Sequence, residues 1–94
     1  MDLEFEWDED KNGANISKHG VDFNEAAQVF LDPRRIERLD DRDHGEDRWQ
    51  VMGMVSFSVL FVVYTERGAG DVVRIISARR ATRAEEKRYR SGRF

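Results

Sequence analysis

Cysteine is absent, and proline occurs once, at Pro33. Without thiols the chain has no disulfide staple, no thiolate zinc site and no cysteine nucleophile, which fits a reducing compartment. No stretch approaches the roughly 20 consecutive apolar residues of a membrane span. The acidic start MDLEFEWDED has neither the basic region nor the apolar run of a secretory signal. Both absences point to a cytoplasmic protein with no membrane partner. Two histidines and scattered carboxylates show no H-E-x-x-H spacing, and there is no Gly-rich phosphate loop or nucleophile elbow. No metal and no organic cofactor are therefore expected. What remains is 94 residues, 39% of them apolar, enough for one compact domain spanning residues 1–94, with no repeats or linkers.

The formal net charge of −3 conceals an asymmetry. Residues 1–47 hold 15 acids and 6 bases, whereas residues 48–94 hold 10 bases and 4 acids. Nine of those ten bases are arginine, whose planar fork grips phosphate bidentately. Such a basic half suits a phosphate-rich partner; a solvated helix face or an acidic protein partner would give the same composition.

Leu3 to Trp7 alternates apolar and acidic residues at period two and reads as a short strand with Phe5 and Trp7 inward. Asp8 fits a helix N-cap, and the helix from about residue 9 to His19 should close at Gly20. Asn12, Gly13 and Asn15 are poor helix formers, so tertiary contacts must hold it. Asp22 and Glu25 have capping-box spacing ahead of a second helix to about Leu31, which Asp32-Pro33 breaks. Residues 34–41 read as a strand carrying Ile36 and Leu39, and Asp40 to Asp47 as a loop. Arg48 to Thr65 should form two strands about a turn near Ser56 to Ser58, followed by a hairpin loop over Glu66 to Asp71 and a strand over Val72 to Arg80. Thr82-Arg83-Ala84-Glu85 is a full capping box starting a last helix to about Ser91. The expected fold is α+β: a small antiparallel sheet of about four strands, two N-terminal helices and one C-terminal helix.

Taken in order, Phe5-Glu-Trp-Asp8, Lys11, Asn15, Lys18-His19-Gly20, Phe23, Ala26, Val63-Tyr64-Thr65-Glu66-Arg67, and Arg74-Ile-Ile-Ser-Ala-Arg79 with Glu85 and Tyr89 resemble the BrnT family across nearly the whole chain. The resemblance implies a RelE-like ribonuclease fold, metal-independent RNA cleavage that inhibits translation and growth, and the toxin role in a type II toxin-antitoxin module. It also implies a BrnA-like ribbon-helix-helix antitoxin whose complex represses its own operon, so that DNA is met only through that complex.

At 100° per residue Lys11, Asn15 and Lys18 fall within about 60° of one another, with His19 close by, forming a polar stripe able to face phosphate. His19 could move a proton near neutral pH and Lys18 could stabilise charge. Both also occupy the last helical turn, where cations meet the helix dipole, and Asn15 could equally be a turn-bonding amide. Along residues 74–80 strict alternation separates Arg74 and Arg80 from Arg79, so the two arginines of the motif share a face only if the strand bulges or ends early. Each arginine could instead be ion-paired, and Arg67 at the hairpin simply solvated. Arg83, Lys87 and Arg90 lie on one helical face as a cationic rail, and Tyr89 is either a docking aromatic or a proton donor. The catalytic candidates are Lys18, His19, Arg67, Arg79 and Tyr89. The RNA-binding candidates are Lys11, Asn15, Arg48, Arg74, Arg80, Arg83 and Lys87. A noncatalytic nucleic-acid-binding or protein-interaction module would use the same surface.

Overall fold

The computed structural model describes residues 3–42 and 45–94; residues 43 and 44 of the loop expected over Asp40 to Asp47 lie outside the described residues. The alternating segment near the N-terminus forms strand β1 (Glu4–Glu6). Asp8 then caps helix α1 (Glu9–His19), accepting from the backbone N–H of Asp10 and Lys11, and Gly20 closes it at φ 71°, its N–H donating to the Ile16 carbonyl.

The second helix is shorter than expected: α2 (Phe23–Ala26) passes directly into a 3₁₀ segment, Ala27–Leu31. Asp22 caps α2 by accepting from Asn24 N–H at 2.9 Å. The companion of this cap is Asn12 of α1, which donates to Asp22 at 3.2 Å and accepts from Phe23 N–H at 2.9 Å. A residue unfavourable to α1 thus fixes the turn between the two helices.

Strands β2 (Ile36–Asp40), β3 (Arg48–Val55), β4 (Ser58–Arg67) and β5 (Val72–Arg80) form an antiparallel meander. The sheet has five strands rather than about four, and it is mixed, because β1 pairs with β5 in parallel; the spatial order is β1-β5-β4-β3-β2. Short hairpin loops dictate direction for β2 to β5, but most of the chain separates β1 from β5, so no local signal fixed its orientation.

The helical segments cover one face of the sheet. Val21, Phe23, Ala26 and Val29 pack there against Val51, Leu60, Val62, Ile75 and Ala78. The approach is close at Gly53, where a Cβ would lie 2.9 Å from the Val29 carbonyl oxygen. Helix α3 (Arg83–Ser91) covers part of the opposite face, with Tyr89 against Met52, Val59 and Phe61. Its capping box is complete: Thr82 Oγ1 accepts from Glu85 N–H at 3.2 Å, and the Glu85 carboxylate accepts from Thr82 N–H at 2.8 Å.

One irregularity controls which side chains the second face presents. Tyr64 pairs with Ile75, but the residue before it in β4, Val63, pairs with Ser77, leaving Ile76 as the extra residue of a bulge. The bulge resets the alternation. Arg74 opposite Thr65 and Arg79 opposite Phe61 therefore share the face partly covered by α3, and Arg80 opposite Leu60 points toward the helical layer.

Candidate active site

The uncovered part of the α3 face is an open groove of about 590 Å³, lined by Arg38, Asp40, Gln50, Phe61, Ser77 and Arg79, with Arg42 and Glu85 at its walls. Pairing explains the convergence. Arg38 faces Gln50, Gln50 faces Val63, Val63 faces Ser77 and Phe61 faces Arg79, and directly opposed residues point to the same side of a sheet.

Arg79 is the most constrained cation of the groove. Its Nη1 and Nη2 donate to the two carboxylate oxygens of Glu85 at 2.8 and 3.0 Å, and Nη1 also donates to the Arg80 carbonyl at 3.2 Å. Its guanidinium carbon lies 4.3 Å from the centre of the Phe61 ring. The Arg79 hydrogen bonds, helped by Thr82 N–H, outweigh burial and hold the Glu85 carboxyl down at about 2. Reciprocally, the Glu85 bond raises the Arg79 guanidinium pKa.

Across the groove Arg38 Nε donates to Gln50 at 2.7 Å, and its guanidinium lies 4.2 Å from the centre of the Phe94 ring, which stands edge-on to Phe61. Arg42 grips Asp40 through Nε and Nη2 at 3.0 and 2.8 Å. Farther along the same face Arg74 donates to Glu6 at 2.6 Å, and Arg67 Nε lies 3.7 Å from the same carboxylate oxygen. Arg42, Arg67, Arg74 and Arg79 each have a carboxylate beside them, whereas Arg38 is held by an amide and a ring.

The structure brings four of the sequence candidates, Arg48, Arg67, Arg74 and Arg79, to one face of the sheet. Arg80 lies on the other face. Lys11, Asn15, Lys18 and His19 are on α1, none of whose residues lines the groove. Lys11 and Lys18 are exposed and His19 partly so. Asn15 is buried: its amide donates to the Val21 and Ala78 carbonyls at 2.9 and 2.8 Å, and its oxygen accepts from Ala78 N–H at 3.1 Å. Arg83 and Lys87 are exposed on α3.

Tyr89 packs under α3 and donates its hydroxyl to Asp32, which also accepts from Met54 N–H at 2.7 Å and Arg34 N–H at 2.8 Å. Burial would raise the Asp32 carboxyl, but these donors together hold it below its ordinary value; burial and the bond to Asp32 raise the Tyr89 hydroxyl.

The sequence candidates did not include Arg38, Gln50, Phe61 or Glu85. Alternation along residues 36–40 puts Arg38 and Asp40 on one face, and that signal was available. The place of Glu85 beside Arg79 was hidden in its capping role.

A five-stranded sheet with a helical layer on one face and an open groove holding Arg38, Arg42 and Arg79 on the other is a small two-layer α+β domain. Residues 7–85 match the family described as the ribonuclease toxin, BrnT, of type II toxin-antitoxin systems. The chain belongs to this BrnT family of ribonuclease toxins. In fold it is similar to the crystal structure of the Brucella abortus ribonuclease toxin BrnT, with a TM-score of 0.66 and 26% identity, covering 86% of this chain and 99% of that one. No curated relative matches. Among the described residues no helix is long and apolar enough to cross a membrane.

Proposed function

We propose that the chain cleaves RNA in the sheet groove without a metal ion, as the toxin of a type II pair, and so inhibits translation and growth in the cytoplasm. The observation that carries this reading is the gathering of Arg38, Arg48, Arg67, Arg74 and Arg79 on one sheet face, which the bulge at Ile76 makes possible. Cleavage by a 2′-hydroxyl needs a proton acceptor, neutralisation of the extra charge on phosphorus, and a proton for the leaving 5′-oxygen. Arginines can supply neutralisation and hold phosphates, and Arg79 lies in the groove. Lys18 and His19 stand on the last turn of α1, which packs beside β5 through Asn15 and Ala78. Their assignment to charge stabilisation and proton transfer requires that the scissile phosphate reach them at that edge, with Arg79 then holding a neighbouring phosphate in the groove. Lys11, Arg80, Arg83 and Lys87 are exposed cations suited to the flanking phosphates.

The same reading makes the fold RelE-like. It also gives the groove a second occupant: a BrnA-like ribbon-helix-helix antitoxin that covers it, with DNA bound only by the complex. An antitoxin complex leaving Arg79 open would count against that mode of inhibition.

The test is incubation of the purified chain with end-labelled RNA in excess EDTA, alongside Arg79→Ala and His19→Ala. Cleavage by the parent that is lost in both variants is the expected result. Parent activity that depends on added metal, or that survives Arg79→Ala, refutes the assignment. RNA that is bound in a salt-sensitive manner but left intact favours a noncatalytic binding module.

A further inference from the structure

A guanidinium has five N–H donors, and Arg79 commits three of them. Both outer hydrogens of the Nη1/Nη2 end go to Glu85, and the inner hydrogen of Nη1 goes to the Arg80 carbonyl. Among the described residues nothing accepts from the other two, Nε–H and the inner Nη2–H. Those two are parallel and lie on one edge of the plane, the side-on fork that matches two oxygens of a phosphate. Phe61 supports one face of the guanidinium, and the residue lines the open groove. The comparison with Arg42 is direct: its side-on fork is occupied by Asp40.

We infer that Glu85 is a positioning residue which, by occupying the end of the Arg79 guanidinium, presets its free edge as a bidentate fork for one phosphate of the RNA. The capping box supplies the rigidity. Glu85 Oε1 accepts from Thr82 N–H and from Arg79 Nη1 at the same 2.8 Å, so the start of α3 and the aim of Arg79 are fixed by a single carboxylate. The pairing thus leaves a phosphate site open in the groove and holds its donors in place before RNA arrives. This inference rests on the reading of the groove as an RNA site.

The test is a double-mutant cycle on RNA affinity. Glu85→Gln keeps an acceptor for Thr82 N–H, since glutamine serves in capping boxes, but it loses one of the two Arg79 bonds. Arg79→Lys keeps a charge and removes the fork. Affinity is read with 2′-O-methyl RNA, which binds without being cleaved, and cleavage with unmodified RNA, both with the proteins folded by thermal melting. Glu85→Gln is expected to weaken binding about tenfold in the parent, the size of a lost charge-assisted hydrogen bond, and less than about twofold in the Arg79→Lys background. Equal losses in both backgrounds, no loss in the parent, or no binding of 2′-O-methyl RNA by the parent overturns the inference. Coupling in the cycle with unmodified RNA left intact supports positioning while refuting the nuclease reading; cleavage with an additive cycle does the reverse. Glu85→Asp, which keeps the charge but shortens its reach, takes the place of Glu85→Gln in the cycle if that variant melts below the assay temperature.

Discussion

Replacing Asn15 by alanine should damage the fold far more than it damages RNA binding by the molecules that remain folded. The amide ties α1 to β5 through Ala78 N–H and C=O and closes the α1 turn through the Val21 carbonyl; Ala78 and Val21 are each only 1% exposed. Asn15→Ala strands one N–H and two carbonyls. A buried group left unpaired costs about 1–3 kcal/mol, but water can enter the space the amide leaves, and alanine returns about 0.5 kcal/mol of helix propensity. The expected net loss is about 3 kcal/mol. For a domain of this size that lowers Tm by on the order of 15 °C. Urea unfolding followed by tryptophan fluorescence measures it, since Trp7 stands edge-on to Phe23 in the core that α1 helps to close. A loss under about 1 kcal/mol, with RNA affinity reduced in fully folded protein, would refute this reasoning and make Asn15 a ligand.

Acid should release the Glu85 contribution. Its folded carboxyl is depressed to about 2 from 4.5, so its stabilisation is complete above about pH 4.5 and is withdrawn as pH falls toward about 2. Allowing for the partial exposure of Arg79, that is about 2 kcal/mol, and Glu85→Gln should flatten the acid limb of the stability profile; an unchanged limb contradicts the pairing. Tyr89→Phe should cost about 1.5 kcal/mol by removing the hydroxyl that docks α3 on Asp32, while leaving the cleavage rate of folded protein intact. Lost cleavage with unchanged melting would instead make Tyr89 a proton donor.

Much of the local structure was legible because short-range chemistry decides it: the Asp8 and Thr82 caps, the Gly20 stop, the Ser56 turn and the β3 to β5 meander. Long-range partners decided the rest. Nothing near Glu4 to Glu6 says that this segment will lie parallel to β5. Asn15 looks like an exposed polar residue on a helical wheel until β5 arrives to accept its bonds. The two halves divided by charge do not divide the groove either, since Arg38, Asp40 and Arg42 come from the acidic half and meet Arg79 only through the meander. Glu85 was visible as a cap, but its second duty depends on where the strand before it ends.

The bulge at Ile76 makes the pairing of this stretch with β4 the sensitive variable. In a regular strand residues share a face at even separations, and Arg74 and Arg79 are five apart. Ile76 therefore works as an inverter only as a bulge: with it bulged Arg79 looks into the groove and Arg80 toward the helices, whereas the same residues in an unbroken strand would turn Arg79 away from the face of Arg74. Deleting Ile76 would leave the two arginines four apart and still on one face of a regular strand, whereas adding a residue while the bulge is kept would turn Arg79 to the helical side. Spacing and bulge together, and not the spacing alone, decide which arginine the groove receives.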